Sequence, residues 1–254
     1  MNTQAYLERI GYGGPLDPTA ETLRALQVAH LQTVPFENLS IHAGQPIVLD
    51  VDALFEKVVV RRRGGFCYEL NGLFAALLRA LGFAVDLLSA EVARADGTFS
   101  PDFDHMALAV LAGKGLAERW LVDVGFGDSF REPLLLAERG EQAQGDRSYR
   151  IEESGPYLVL LQRQGADGPW EPQYRSTLQP RELPEYAEMC LYHQTSPQSH
   201  FTQKRVCSLA TPDGRVTLSD LRLITTRGGV RQERMLASEE EHAATLRELF
   251  GVVV

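Results

Sequence analysis

Basic residues are scarce in this 254-residue chain: 25 Lys and Arg stand against 34 Asp and Glu, a net charge of −9. No lysine-rich block appears, which argues against a nucleic-acid partner, because phosphate binding needs a concentrated basic surface. The one basic cluster is Arg61-Arg62-Arg63. It reads as a solvated helix end, where cations suit the dipole, with contact to an anionic ligand as the second reading. Cysteine is also scarce. Cys67, Cys190 and Cys207 are an odd number with no CxxC spacing, which argues against a disulfide framework or a cysteine zinc site and for a reducing compartment. The N-terminus lacks a basic region followed by an apolar core, so no signal peptide is expected. No apolar run approaches the roughly 20 residues needed to cross a bilayer. The expectation is a cytoplasmic protein with no membrane partner. Hydrophobic (44%) and charged (23%) contents are those of a globular chain, and the length suits one large domain or two to three smaller units.

What is present centres on Arg63-Gly64-Gly65-Phe66-Cys67-Tyr68-Glu69-Leu70-Asn71, which runs into the apolar helical stretch Leu73–Leu78 and stops at Gly82. Two glycines permit a tight approach, and Cys67 then falls at the first turn of a buried helix. A thiol there faces unpaired N–H groups and the positive end of the dipole, both of which favour the nucleophilic thiolate. The competing reading is a small buried apolar residue.

Along the chain, residues 3–10 read as a short helix. Asp17 and Pro18 read as the cap and first turn of a second helix, with Leu23, Leu26, Ala29 and His30 on its buried stripe. His30 is expected to pack rather than ligate. Val34-Pro35-Phe36-Glu37-Asn38-Leu39 reads as an extended loop, and Asp50 caps a helix over about 51–60. After Gly82 the character changes. Strands are expected at 83–92, 105–111, 120–124, 149–152 and 157–162, an all-β unit of barrel or sandwich type. From about Tyr192 the chain changes again. Strands at 206–210 and 216–226 flank a turn at Pro212–Arg215, and Ser238 with Glu241 forms a capping box for a last helix ending at Gly251.

A hairpin centred on Lys114 would set His105 opposite Asp123, at the roughly 4.5–5.5 Å Cβ spacing of facing residues. Ala107 and Leu121 would share their face, and Met106, Leu108, Val110, Trp120, Val122 and Val124 the other. Asp123 could then hold the imidazole in one tautomer while His105 takes the proton of Cys67. Two other uses stay open: a structural His–Asp pair, and a cation site with Asp102, Asp104, His105 and Asp123. No HxxxH spacing supports the latter, so no metal is expected. His193, His200 and His242 read as isolated surface or packing residues.

The cysteine segment resembles the RGGxCxExN signature of the arylamine N-acetyltransferase family. Val34–Leu39 resembles that family's VPFENL segment, and His105 in DHMALAV and Asp123 in LVDVGFG match its other two catalytic positions. The resemblance implies an α+β protein: an N-terminal helical bundle carrying Cys67 (1–82), a central antiparallel β-barrel carrying His105 and Asp123 (83–190), and a C-terminal α/β lid (191–254), with a papain-like Cys-His-Asp arrangement. It implies acetyl-CoA as cosubstrate and ping-pong transfer, through acetyl-Cys67, to a small aromatic amine, hydrazine or N-hydroxyarylamine. Phe36, Val92 and Phe126 would line the acceptor pocket. Gly125 and Gly127, which allow close approach to backbone, and Phe201 would serve coenzyme A, with a core aromatic as the other reading of Phe201. The Tyr68 N–H would be the oxyanion donor. Asp104 departs from the neutral residue of some family members and is expected to point away from the cleft, since it would repel an anionic donor. Rival functions are a papain- or transglutaminase-like thiol hydrolase, a macrolactam-forming amide synthase of the same family, and a binding module with a vestigial site.

Overall fold

Helices dominate the first eighty residues, and side-chain caps start three of them. In the computed structural model, which describes residues 1–113 and 118–253, Asn2 caps α1 (Thr3–Arg9) by accepting from the Ala5 N–H. The second helix, α2 (Ala20–Thr33), is capped by Thr19 and not by Asp17. The Thr19 hydroxyl accepts from the Thr22 N–H, and Pro18 stands before the helix. His30 packs as expected: it is fully buried and hydrogen-bonds the Tyr6 hydroxyl at 3.0 Å. Burial, with Arg9 nearby, pushes its pKa down to about 3, so it stays neutral. A short strand β1 (Phe36–Glu37) and the single turn α3 (Leu39–His42) follow. Asp50 then caps α4 (Val51–Phe55), which widens into a π-turn over Glu56–Val60. The central helix α5 (Cys67–Ala80) begins at Cys67 itself.

Among the described residues the strands form two sheets. The larger has the order β5-β4-β3-β2-β9-β8-β7-β6. It contains β2 (Ala84–Val92), β3 (His105–Ala112), β4 (Glu118–Val122), β5 (Leu134–Leu135), β6 (Gln142–Gln144), β7 (Arg147–Ser154), β8 (Tyr157–Gln164) and β9 (Glu171–Arg181). Its two outer strands are brought together by side-chain amides rather than a ladder. Gln142 accepts from the Leu135 N–H and donates to the Leu135 carbonyl, and Gln144 does the same with Arg131, Glu132 and the Glu132 carbonyl. The result is a nearly closed barrel. The smaller sheet, β1-β10-β11-β12-β13, contains β10 (Val206–Thr211), β11 (Gly214–Ser219), β12 (Arg222–Arg227) and β13 (Val230–Met235). The stretch 216–226 is therefore two strands and not one, reversing at Asp220, whose φ is +48°. Helices α6 (Ala187–Thr195) and α7 (His200–Gln203) precede this sheet, and α8 (Glu239–Phe250) follows it. Ser238 caps α8, while Glu241 reaches back to Ala237 and not to Ser238. Gly251 ends α8 at φ +65°.

The strand β3 separates two cores. Met106, Leu108, Val110 and Val122 pack against Leu70, Phe74 and Leu77 of α5. Ala107, Ala109 and Leu121 turn into the barrel with Leu160 and Tyr174. Both faces are those read from the alternation. The register is not: Val122 pairs with Leu108, where a hairpin centred on Lys114 would have set it against Met106. Residues 114–117, which include that expected centre, lie outside the described residues. The connection is two residues longer than expected. A shift of two keeps every side chain on its face, whereas a shift of one would have reversed them all.

Candidate active site

Cys67, His105 and Asp123 come from α5, the start of β3 and the end of β4. Each is about 3% exposed. With the register shifted, His105 and Asp123 are diagonal rather than facing neighbours, a separation that side chains of their length still span. Asp123 Oδ2 lies 2.7 Å from His105 Nε2. That contact leaves Nδ1 as the ring nitrogen available to a thiol. The other carboxylate oxygen, Oδ1, accepts from Asn71 Nδ2 and from the Gly125 N–H, each at 2.9 Å. All three Asp123 contacts fix its orientation in a buried position.

Asn71 carries the link back to the cysteine. It sits one turn after Cys67 on α5, donates also to the Met106 carbonyl at 2.6 Å, and accepts from the Val124 N–H at 2.9 Å. Helix, β3 and β4 are thereby pinned to one another. Gly125 closes the arrangement: a Cβ there would lie 2.7 Å from Cys67 Cα and 3.0 Å from the Cys67 carbonyl oxygen. Gly125→Ala should therefore displace Cys67. We expect a loss of about 1–3 kcal/mol in stability, the range of an overpacked core, read as a lower thermal midpoint. Catalysis should fall more than stability does.

The lead-in to Cys67 is held by charge. Arg63 is buried, not solvated as expected of the arginine run, and its Nε donates to Glu37 Oε1 at 3.1 Å. Glu37 Oε2 in turn accepts from the Leu39 N–H. Pro35 and Phe36 run alongside Gly64 and Gly65, with Phe36 and Gly65 in a parallel bridge. A Cβ on Gly64 would come within 2.0 Å of the Pro35 carbonyl oxygen, so only glycine fits. At the helix start, Glu69 Oε2 accepts from the Phe66 N–H, and Glu69 Oε1 pairs with Lys57 Nζ at 2.7 Å. Arg63, Glu37, Lys57 and Glu69 are a scaffold for the turn that presents the thiol.

The thiol itself is pushed well up by burial, and the charges of Asp123 and Asp104 and the Cys190 thiol add to that; a hydrogen bond from the Met106 backbone opposes them. Burial therefore outweighs the pull toward the thiolate expected of the helix N-terminus. A thiolate here requires a cationic partner.

Of the other residues singled out, Phe126 packs edge-on to the His105 ring with centroids 5.0 Å apart, and Val92 faces Tyr174 across the β2–β9 ladder. Phe36 lies beside Gly127, whose φ of +92° suits glycine. Phe201 is buried among Phe66, Phe36 and His193. Asp104 turns to His193, its Oδ1 3.2 Å from Nε2. His193 is thus neither isolated nor on the surface. Tyr174 was missed by sequence reasoning. Its ring packs 5.2 Å from His105 and 5.2 Å from Phe126. Asn71 and Glu69 carried a signal in their spacing from Cys67, one turn and two residues on; Tyr174 carried none. Next to Gly127, a cavity of about 640 Å³ opens between barrel and smaller sheet, lined by Asp128, Arg131, Arg147, Arg215 and Arg231 among others.

A buried cysteine at a helix start, tied through Asn71 to a carboxylate-held imidazole, suits thiol-dependent acyl transfer. The N-acetyltransferase family model matches residues 19–254. An arylamine N-acetyltransferase of Mycolicibacterium smegmatis is 36% identical, with 99% of this chain and 92% of the relative covered. Proansamycin X synthase of Amycolatopsis mediterranei is 34% identical over 99% of this chain and 97% of its own. The structure of Mycobacterium marinum arylamine N-acetyltransferase in complex with CoA superposes with a TM-score of 0.90 at 33% identity, covering 99% of this chain and 93% of that one. The chain belongs to the arylamine N-acetyltransferase family, and it is by that membership an acyltransferase.

Proposed function

We propose that this protein transfers acetyl groups from acetyl-CoA to arylamines, arylhydrazines or N-hydroxyarylamines by a ping-pong mechanism through acetyl-Cys67. The observation that carries the reading is the 2.7 Å His105–Asp123 contact laced by Asn71 to the helix that begins at Cys67. His105 Nδ1 takes the Cys67 proton, and the imidazolium so formed is the cation that the buried thiolate requires. The sulfur adds to the thioester carbonyl, with the Tyr68 N–H as oxyanion donor. Collapse expels coenzyme A thiolate, which recovers the proton from His105. The acceptor nitrogen then adds to acetyl-Cys67, loses its proton to His105, and the Cys67 sulfur leaves. Donor and intermediate are both thioesters, so the first half-reaction is reversible.

Three units suit this chemistry: a helical bundle (1–82) supplying the nucleophile, a barrel (83–190) supplying the base and its acid, and an α/β lid (191–254). Phe36, Val92 and Phe126 are assigned to the acceptor, which would pack against rings already edge-on to His105. Gly125, Gly127 and Phe201 are assigned to coenzyme A, and the arginine-lined cavity beyond Gly127 offers its phosphates a cationic seat. The M. marinum relative solved with CoA supports that donor. The resemblance to a synthase keeps amide formation from a larger acyl donor as the second reading. All three cysteines are free, which fits the reducing, cytoplasmic compartment proposed here. No helix among the described residues is long and apolar enough to cross a membrane.

The test is consumption of acetyl-CoA across a panel of anilines, hydrazines and N-hydroxyarylamines. We expect turnover with several, and parallel lines when donor and acceptor are varied together. Turnover of acetyl-CoA by water alone, at a rate no amine increases, would favour the thiol hydrolase.

A further inference from the structure

Beyond the three residues of the mechanism, a second histidine–carboxylate pair lies buried against the same turn. His193, on α6, is 2% exposed. Its Nε2 lies 3.2 Å from Asp104 Oδ1, and its Nδ1 lies 3.0 Å from the Ser199 hydroxyl, which also accepts from the Phe201 N–H. Asp104 is the residue immediately before His105. The His193 ring packs on both residues that flank the nucleophile: Phe66 at 6.4 Å, near perpendicular, and Tyr68 at 6.1 Å. The Tyr68 hydroxyl donates to the Phe103 carbonyl at 2.7 Å and approaches that of Asp104 at 3.2 Å. Phe103 itself has φ +65°, unusual for an aromatic residue. One side chain from the C-terminal third therefore reaches both the helix start that presents Cys67 and the turn that leads into His105.

The chemistry makes this contact more than packing. The carboxylate of Asp104 is one of the charges that work against a thiolate at Cys67, together with Asp123 and the Cys190 thiol. Asp123 is already committed to His105. The groups facing His193 are Asp104 on the turn before β3, Tyr68 on α5, and His200 and Ser199 at α7. Of these Asp104 alone is a carboxylate, and its Oδ1 lies against the His193 ring. We propose that His193 is a positioning residue for acyl transfer: its contact with Asp104 Oδ1 holds that carboxylate turned away from the nucleophile, so that Cys67 ionises against His105 alone. The inference rests on Cys67 being the acyl carrier.

The test is the rate of Cys67 alkylation by iodoacetamide as a function of pH, located by peptide mapping in the full-length protein. His193→Gln should slow alkylation at neutral pH about tenfold, the effect of one carboxylate freed to turn toward the thiol, and move the midpoint upward. It should lower the rate of the acetyl-CoA half-reaction while leaving the acceptor KM unchanged. Adding Asp104→Asn to His193→Gln should restore most of the loss. Asp104→Asn alone, which leaves the His193 ring in place, should alkylate at least as fast as the native protein. An unchanged profile in His193→Gln, a double variant as slow as the single, or a slowed Asp104→Asn would each overturn the proposal while leaving Cys67 as nucleophile. A native protein in which Cys67 is no more reactive than Cys190 or Cys207 would overturn the acyl-carrier reading and this inference with it.

Discussion

Cys67→Ala is expected to leave no measurable acetyl transfer from acetyl-CoA to any arylamine, while the thermal midpoint changes little. The side chain removed is small and replaced by a methyl group, so packing in the α5–β3 core is nearly conserved. The chemistry is not conserved. Cys190 contacts Gln194 on its own helix, and Cys207 lies in the separate core of the smaller sheet. Neither is tied to the His105–Asp123 pair as Cys67 is through Asn71, so neither is expected to take over. Steady-state assays with acetyl-CoA and an aniline check this directly. Transfer at the native rate would mean that the amine attacks the donor without a covalent intermediate, and the ping-pong account would fall.

Asp123→Asn carries the second large effect. By analogy with the serine triad, where the corresponding change costs roughly 10⁴-fold through the wrong imidazole tautomer, the rate of Cys67 acetylation should fall by several orders of magnitude. This site adds a second penalty. Asp123 Oδ1 accepts from both Asn71 Nδ2 and the Gly125 N–H, and Oδ2 faces His105. An amide oxygen can serve the Asn71 and Gly125 donors, but its NH₂ then faces His105. The variant must either hold His105 in the tautomer protonated on Nδ1, which cannot take the thiol proton, or turn its oxygen to His105 and break the strap that holds Gly125 against Cys67. Single-turnover acetylation and thermal denaturation, measured together, separate the two. A loss of less than about tenfold would contradict the role given to the carboxylate, since even one mispaired catalytic contact is worth more.

How far the site was legible from sequence follows the range of the interactions involved. Cys67 at the start of α5 was legible because an apolar run of helical period begins beside it, and the two faces of β3 were legible because alternation is local. The register of β3 on β4 was not, since it depends on a connection whose length no turn residue specified. Arg63 was misread because its partner Glu37 is 26 residues away, and an arginine run carries no trace of a distant carboxylate. The cap of α2 moved from Asp17 to Thr19 because both are good caps and only the chain path decides. Strand β9 went unread for a related reason. Glu171-Pro172-Gln173 opens it with polar residues and a proline, and Pro180 sits near its end, where the β2–β9 pairing is irregular. Tyr174, which packs on His105, lies on that unread strand. The full exposure of β13 likewise hid it, because an outer strand with no buried face has no pattern to show. Residues pinned by neighbours in sequence were therefore visible, and residues pinned across the sheet were not.

The central claim is that Cys67 carries the acetyl group between donor and acceptor. Intact-protein and peptide mass spectrometry after mixing with acetyl-CoA, in the absence of any acceptor, tests it most directly. The account predicts a single acetyl group, located on the peptide beginning near Gly64 and lost when an arylamine is added. Acetylation elsewhere, or an unmodified protein that nonetheless acetylates arylamines at its full rate, would contradict it.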